Sequence, residues 1–233
     1  MSKRPSQFDF WFAVNNTEIV VPPKRHIETF GNTIINYHMV SELMDSVGKV
    51  RVREGRMQAL RPQIITPSAY STTILEGFGE QARQYLEWLK EHEDSIRILR
   101  YGYTLKQEAF SEQVLTDTPE AVLERVKQSL ADSKDPFRAV IKGVDDPWDV
   151  CLVKLFWNVI HNSAQANIRE MHERRMFEME EGVPAGLREE IEKAFQAAAN
   201  DPSLIKPLGR LLQENGLFER YQDRFFSLIK GRI

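Results

Sequence analysis

The chain has 233 residues, of which 42% are hydrophobic and 28% charged, and 31 Lys and Arg residues nearly balance 34 Asp and Glu residues to a formal charge of −3. A chain with this apolar content buries a core, so the composition excludes a disordered protein. The small net charge also excludes a nucleic-acid coat protein and a cationic membrane peptide, although basic residues can still cluster locally.

The first predicted element is a β-hairpin formed by residues 8–14 and 17–21. Both segments are rich in aromatic and β-branched residues, and Asn15-Asn16 between them tolerate the positive φ of a tight turn. Pro22 and Pro23 end the second strand, because proline donates no hydrogen bond to a strand ladder.

Residues 33–41 fit either a strand or a helix, and we favour a strand. Ile35, Tyr37 and Met39 alternate with polar residues, which is the period of a strand. Positions 34, 37 and 40 or 41 would also share one face of a helix. Turn-forming residues at 45–48 then end this segment.

The clearest local signal is a two-residue turn at Glu54-Gly55 between residues 49–53 and 56–60. It predicts a second hairpin, and the alternation of side chains places its basic residues on one outward face. If residues 33–41 pair with this hairpin, Asn36 and His38 join that face. The predicted anion-binding residues are Lys49, Arg51, Arg53, Arg56, Arg61 and His38.

Several further elements are predicted between residues 75 and 144. Residues 75–93 have apolar side chains at three- and four-residue spacing, which is typical of a helix. Residues 96–105 and, more weakly, 109–115 are rich in β-forming residues. Thr118 and Pro119 start a second helix. The apolar run at residues 137–144 predicts a buried strand.

The rest of the chain is predicted to be helical. Residues 146–149, Asp-Pro-Trp-Asp, start a long helix that runs to about Met176, and its apolar first half predicts a central buried helix. An acidic connector at residues 178–186 follows. Three helices then occupy about 187–199, 204–214 and 217–229, with a stop at Asn215-Gly216 between the last two.

These elements predict an α+β fold with a mainly antiparallel sheet built from hairpins and a helical part with a long central helix. The β-rich part, with two helices, covers residues 1–145, and the helical part covers residues 146–233. We expect the two parts to pack as one compact unit, because the buried strand at residues 137–144 would otherwise lie at their boundary.

The motifs of several enzyme classes are absent from the sequence. Gly77-Phe78-Gly79 lacks the third glycine of a dinucleotide-binding loop, and no serine has the glycine spacing of a nucleophile elbow. The single cysteine, Cys151, excludes a zinc site made of thiolates, and no two histidines have the HExxH spacing. We therefore expect no cofactor and no metal, and a binding protein rather than an enzyme.

Weaker acidic and histidine candidates remain. On a helix at residues 33–41, His38 and Glu42 would share a face and could hold a metal with Asp45. Asp145 and Asp146 could serve as an acid–base pair, although a turn and a helix cap explain them better. No motif points to a characterised family.

The sequence also predicts a compartment. Its first seven residues, MSKRPSQ, are not followed by the apolar core of a secretory leader, and no window approaches the roughly 20 apolar residues that span a bilayer. A lone cysteine has no partner for an internal disulfide. We therefore expect a cytoplasmic protein with no membrane partner.

Three hypotheses of function follow. Guanidinium groups in a row suit phosphate oxygens, so the basic face predicts binding of RNA or another polyanion. Alternatively, the last helices are more apolar than a short terminal helix needs, which predicts self-association or a protein partner. The predicted interaction residues are Tyr221, Phe225, Phe226 and Ile229. The third alternative is an enzyme whose catalytic residues are scattered along the sequence.

Overall fold

The computed structural model describes residues 8–60, 74–92, 103–108, 110–131 and 133–230. The elements up to the long helix are α1 (Phe8–Asn15), β1 (Glu18–Val21), β2 (Thr33–Glu42), β3 (Lys49–Leu60), β4 (Ile74–Glu76), α2 (Glu80–His92), β5 (Thr104–Gln107), β6 (Ser111–Thr116), α3 (Pro119–Ser129), β7 (Arg138–Val144) and α4 (Trp148–Glu173). A short hairpin of β8 (Met179–Glu180) and β9 (Val183–Pro184) leads to α5 (Ala185–Asn200), a 3₁₀ turn (Pro202–Leu204), α6 (Ile205–Glu214) and α7 (Phe218–Lys230).

Strands β1 to β7 form one mixed sheet within the described part of the chain. Its order is β1-β7-β2-β3-β5-β4, and β6 pairs with β3 beside β5. The β2–β7 and β4–β5 pairs are parallel. The predicted combination of α and β structure with a helical C-terminal part is confirmed, but the sheet is not built from hairpins alone. Local turn signals predict only antiparallel neighbours, whereas parallel neighbours are joined through long connections.

The first predicted hairpin is wrong, because Phe8–Asn15 is helix α1. The helix buries Phe10 and Ala13 in the main core. The Lys154 ammonium of α4 donates hydrogen bonds to the backbone oxygens of Val14, at 2.7 Å, and Thr17, at 2.8 Å, at the end of this helix. The first of these contacts satisfies a carbonyl in the last turn of α1, and with the buried side chains it shows tertiary packing overriding the local preference of aromatic residues for strands.

Strand β3 is continuous through Glu54-Gly55, so the predicted turn at these residues is also wrong. The strand pairs with β2 over almost its whole length, and Gly55 lies opposite Tyr37. The chain reverses instead at residues 43–48, where Gly48 has a φ of 74°. Glycine is required at position 55 for a different reason, since a Cβ there would lie 2.6 Å from the Tyr37 hydroxyl oxygen and 2.8 Å from the Cβ of Phe110.

The continuity of β3 distributes its side chains over two faces of the sheet. One face carries Met57 and Ala59 and packs against α1, α2 and α4, and we call it the α4 face. On the other side, Val50 and Val52 pack against Val122 of α3, and we call this the α3 face. Because side chains alternate along a strand, Arg51 and Arg53 lie on the α4 face and Arg56 on the α3 face.

Other predictions from the sequence agree with the structure. Residues 33–41 belong to strand β2, and residues 138–144 form a largely buried strand. The Thr118 hydroxyl caps α3 by accepting a hydrogen bond from the backbone N–H of Ala121, and α6 ends before Gly216, which has a φ of 63°. Helix α2 begins at Glu80, later than predicted, because strand β4 precedes it. Residues 96–102 of one predicted β segment lie outside the described residues.

The buried apolar residues of the described chain fall into separate clusters. The first half of α4 packs into the core on the α4 face, whereas α5, α6 and α7 pack around a cluster of their own. The compact packing of residues 1–145 with residues 146–233 stays a prediction. No helix among the described residues combines the length and apolar character that a membrane span needs.

Replacement of Gly55 by alanine should destabilise the protein. The added methyl group would overlap the buried Tyr37 hydroxyl and Phe110, and overpacking of this kind costs about 1–3 kcal/mol. Urea unfolding of Gly55→Ala should therefore show a lower midpoint than the wild type. Gly31→Ala is the matched control, because a Cβ at Gly31 meets only Glu28 at ordinary contact distance. Equal midpoints for the two variants would contradict the close approach at Gly55.

Candidate functional site

Two arginines of β3 are neutralised on the α4 face. Oδ1 of Asp145, which follows β7, lies 2.8 Å from Arg51 Nη1 and 2.9 Å from Arg53 Nη2. Oε2 of Glu112 in β6 lies 3.4 Å from Arg53 Nε, and the Arg53 guanidinium lies over the ring of Trp148 at 4.9 Å. Arg53 is only 3% exposed. Its charge is therefore balanced by protein carboxylates and not by solvent.

The predicted outward basic face does not form. Arg51 and Arg53 lie under carboxylate partners on one side of the sheet, and Arg56 lies on the other side. Lys49 is exposed at the start of β3, and Arg61 lies outside the described residues. The error follows from the predicted turn at Glu54-Gly55. A turn there would reverse the chain and bring the arginines on both sides of it onto one face.

A cavity of about 600 Å³ lies on the α3 face, between strands β2, β3 and β7 and the segment that follows α3. The strand register builds its floor: Asn36 of β2 lies opposite Arg56 of β3 on one side and Arg138 of β7 on the other. His38 lies opposite Glu54, one step further along the same face. The cavity therefore gathers side chains from three adjacent strands.

Arg138 is the unusual member of this group. It is 8% exposed, yet its Nε and Nη1 atoms have no hydrogen-bond partner among the described residues. The nearby Asp135 carboxylate accepts hydrogen bonds from the Asn36 amide at 2.7 Å and from the backbone N–H of Phe137 at 2.9 Å instead. A buried guanidinium without a partner is costly, and Arg138 is also one of the residues that line the cavity.

His38 presents a second unsatisfied polar atom. Its Nδ1 lies 3.4 Å from Oε1 of Glu54, but the two atoms are not hydrogen-bonded, and Nδ1 is buried. Arg56 is exposed at the edge of the same cavity. Of the predicted anion-binding residues, His38 and Arg56 therefore lie together here, beside an arginine that the sequence analysis missed.

Two aromatic residues that border the cavity near Gly55, Tyr37 and Phe110, direct their side chains to the α4 face, where both approach the Cβ position of Gly55. Tyr37 is almost fully buried, and this burial raises the pKa of its hydroxyl to about 12, although a hydrogen bond from Gln107 and the charge of Arg53 act in the opposite direction. The Tyr37 side chain is thus a neutral phenol at physiological pH. The Phe110 ring is 44% exposed, and its centroid lies 4.9 Å from that of Trp148.

Arg138 was missed because the run at residues 137–144 was interpreted only as a buried strand. The signal was the arginine itself, since a charged residue at the start of an apolar strand needs a partner or a role. No sequence motif links it to His38, which lies 100 positions earlier. Only the parallel pairing of β2 with β7 brings the two strands together.

The predicted interaction residues lie in the cluster formed by α5, α6 and α7. Phe225 is buried there, and Tyr221 packs on Phe195 with ring centroids 5.8 Å apart. Ile229 packs partly against the same cluster, and Phe226 is 42% exposed. Much of the apolar surface of α7 therefore covers its own helical cluster, and a role in self-association stays a prediction.

The chain was compared with protein-family models, with curated proteins and with solved structures, and none of them matches. In the described part of the chain, no three His, Cys, Asp or Glu side chains are arranged to hold a metal ion. The metal site considered for His38, Glu42 and Asp45 required a helix at residues 33–41. These residues form strand β2 instead.

Asp145→Asn should destabilise the protein strongly. Among the described residues, the substitution leaves the buried Arg53 with only the half-exposed Glu112 as a charged partner, and removing one member of a buried ion pair costs about 3 kcal/mol or more. Urea unfolding measures this loss. Glu120→Gln is the control, because its ion pair with Lys142 is exposed and its loss should leave the midpoint nearly unchanged. Similar small effects for both variants would contradict a structural role for Asp145.

Tyr37 should make stability fall at alkaline pH. An unfolded tyrosine has a pKa near 10, so the unfolded state loses its proton first as the pH rises, and stability present below pH 10 is lost as the pH approaches 12. The difference in unfolding free energy between wild type and Tyr37→Phe should shrink by about 2 kcal/mol between pH 8 and pH 11.5. Urea titrations measure it, and a difference independent of pH would show that the hydroxyl is not buried as described.

Proposed function

We propose that the cavity on the α3 face binds a small ligand through an anionic group, a phosphate or a carboxylate, which Arg138 holds together with Arg56 and His38. The observation that supports this proposal is the buried Arg138 guanidinium, whose Nε and Nη1 lack partners among the described residues. The guanidinium group of arginine suits the oxygens of a carboxylate or a phosphate, so an anion in the cavity would compensate the buried charge of Arg138.

The surroundings of Arg138 support a bound ligand over a purely structural role. The nearby Asp135 carboxylate accepts hydrogen bonds from Asn36 and from the backbone N–H of Phe137, and none from Arg138 Nε or Nη1. The cavity next to it has a volume of about 600 Å³, which is within the usual range of small-molecule sites. A bound anion would thus account both for the partnerless Arg138 atoms and for the cavity beside this residue.

This proposal replaces the binding of RNA along residues 49–61. An RNA chain needs several unneutralised cations in a row, because release of counterions from successive phosphates drives its binding. Arg51 and Arg53 are paired with carboxylates on the opposite face. Glu54 and Asp135 also lie in the cavity with Arg56 and Arg138, so the site lacks the excess positive charge that a polyanion would require.

Arg138→Met separates this function from a structural one. Methionine fills similar space without a charge, so removal of the unpaired guanidinium should leave the protein as stable or raise its stability by about 1–3 kcal/mol. In isothermal titration calorimetry at low salt, the wild type should bind inorganic phosphate or acetate, and the variant should bind neither. Thermal melts without ligand measure the change in stability.

Arg125→Met provides the control for this experiment. Arg125 is exposed and paired with Asp117 on α3, so its loss should leave anion binding unchanged. The proposal is wrong if the wild type binds neither anion, or if Arg138→Met binds as well as the wild type. A large loss of stability in Arg138→Met would likewise show that the guanidinium has a structural partner.

A further inference from the structure

We infer that the cavity on the α3 face takes up a proton at His38 when it binds its anion, so that pH regulates anion binding. This proton uptake rests on the anion site proposed above and adds its regulation. Two observations carry it. Nδ1 of His38 is buried without a hydrogen bond beside the Glu54 carboxylate, and His38 lies diagonally next to both arginines of the cavity.

The imidazole ring of His38 lies between a carboxylate and the cavity. Its Nδ1 is 3.4 Å from Oε1 of Glu54 and makes no hydrogen bond among the described residues. The side chain as a whole is 18% exposed, and His38 lines the cavity. The ring therefore has Glu54 at its buried nitrogen, and its exposed part borders the space that we assign to the anion.

A neutral imidazole cannot donate hydrogen bonds to two groups. It carries a single N–H, so when this hydrogen points to Glu54 the other nitrogen is an acceptor, and an acceptor repels an anion. A protonated imidazole carries an N–H on each nitrogen and can donate to a carboxylate and to an anion at the same time. The protonated form of His38 therefore suits Glu54 on one side and a bound anion on the other.

The strand register couples the proton to the anion. Asn36, two positions before His38 on β2, lies opposite Arg56 of β3 and Arg138 of β7, and diagonal neighbours on one face are within reach of long side chains. Without an anion, these two positive charges oppose a proton on His38, whereas Glu54 favours it. A bound anion offsets the charges of the arginines, so it favours the protonated imidazole.

The other charged groups on this face leave the balance as it is. Asp135 lines the cavity and, like Glu54, favours a positive charge on His38. Helix α3 packs on the same face with the apolar side chain of Val122, and the charged side chains on and beside this helix form mostly exposed ion pairs. The described pairs are Arg125–Asp117, Lys127–Glu124 and Lys142–Glu120.

Calorimetric titration with sulfate and with acetate tests the proton uptake, because both anions keep their charge between about pH 6 and pH 8, where histidine side chains change theirs. The wild type should bind each anion about 5-fold or more tightly at pH 6 than at pH 8, since protonation and anion binding favour each other. At pH 7, the binding enthalpy should differ between two buffers of different ionisation enthalpy, because the buffer supplies the proton.

Three variants assign the proton to His38. His38→Gln should bind the anions with the same affinity at both pH values and with the same enthalpy in both buffers. Glu54→Gln should reduce the ratio of the two affinities, because a neutral imidazole no longer has to direct its hydrogen to a carboxylate. His161→Gln is the control, since this exposed histidine lies on α4 and its loss should keep the wild-type ratio.

The outcomes separate the proton uptake from the anion site on which it rests. Equal affinity of the wild type at both pH values, with binding lost in Arg138→Met, would overturn the proton uptake and leave the anion site standing. A pH dependence that persists in His38→Gln would assign the proton to another group and would overturn the role of His38. Failure of the wild type to bind either anion at pH 6 would remove the anion site itself.

Discussion

The pairing of β3 with β2 through residues 54 and 55 is the constraint on which the arrangement of the sheet depends. A turn at Glu54-Gly55 would form one local hairpin, but it would remove residues 56–60 from their partners on β2. Each backbone hydrogen bond contributes only about 1 kcal/mol net, yet a continuous strand makes many of them. The long strand also lets β5 and β6 both pair along its other edge. The continuous strand is therefore favoured over a local turn at Glu54-Gly55.

This continuity gives the arginines of β3 different roles. On the α4 face, Arg53 is buried with Asp145 and Glu112, and the pair ties β3 and β6 to the junction between β7 and α4. On the α3 face, Arg56 lies in a row with Asn36 and Arg138 beside an open cavity. Arginines of one strand are therefore neutralised by carboxylates on the α4 face, whereas on the α3 face we propose that they contact a ligand.

Arg138, whose Nε and Nη1 have no partner in the part of the chain that the structure describes, shows how local rules of stability and function conflict. A buried charge without a partner lowers stability, and a core residue of similar size would avoid that cost. Elsewhere in the described chain, the capped start of α3 at Thr118 and the packed interior of α4 follow the usual rules. A departure of this kind at a cavity is where a binding site is expected, because function tolerates what packing alone would not.

The sequence by itself determined the elements whose signals are local. The period of two in residues 33–41 specified strand β2, the cap and proline at 118–119 specified α3, and Asn215-Gly216 specified the end of α6. These features depend on neighbours a few positions apart, so propensity, capping and alternation suffice to predict them.

Only the tertiary structure decided the rest. Helix α1 is contacted by Lys154 of α4, β3 runs straight between β2 and β6, and Arg53 is neutralised by Asp145, 92 positions away. The cavity arises from the parallel pairing of β2 with β7, which no turn sequence predicts. Contacts between distant segments carry no local pattern in the sequence, because their free energy comes from packing and charge pairing that exist only after the chain has folded.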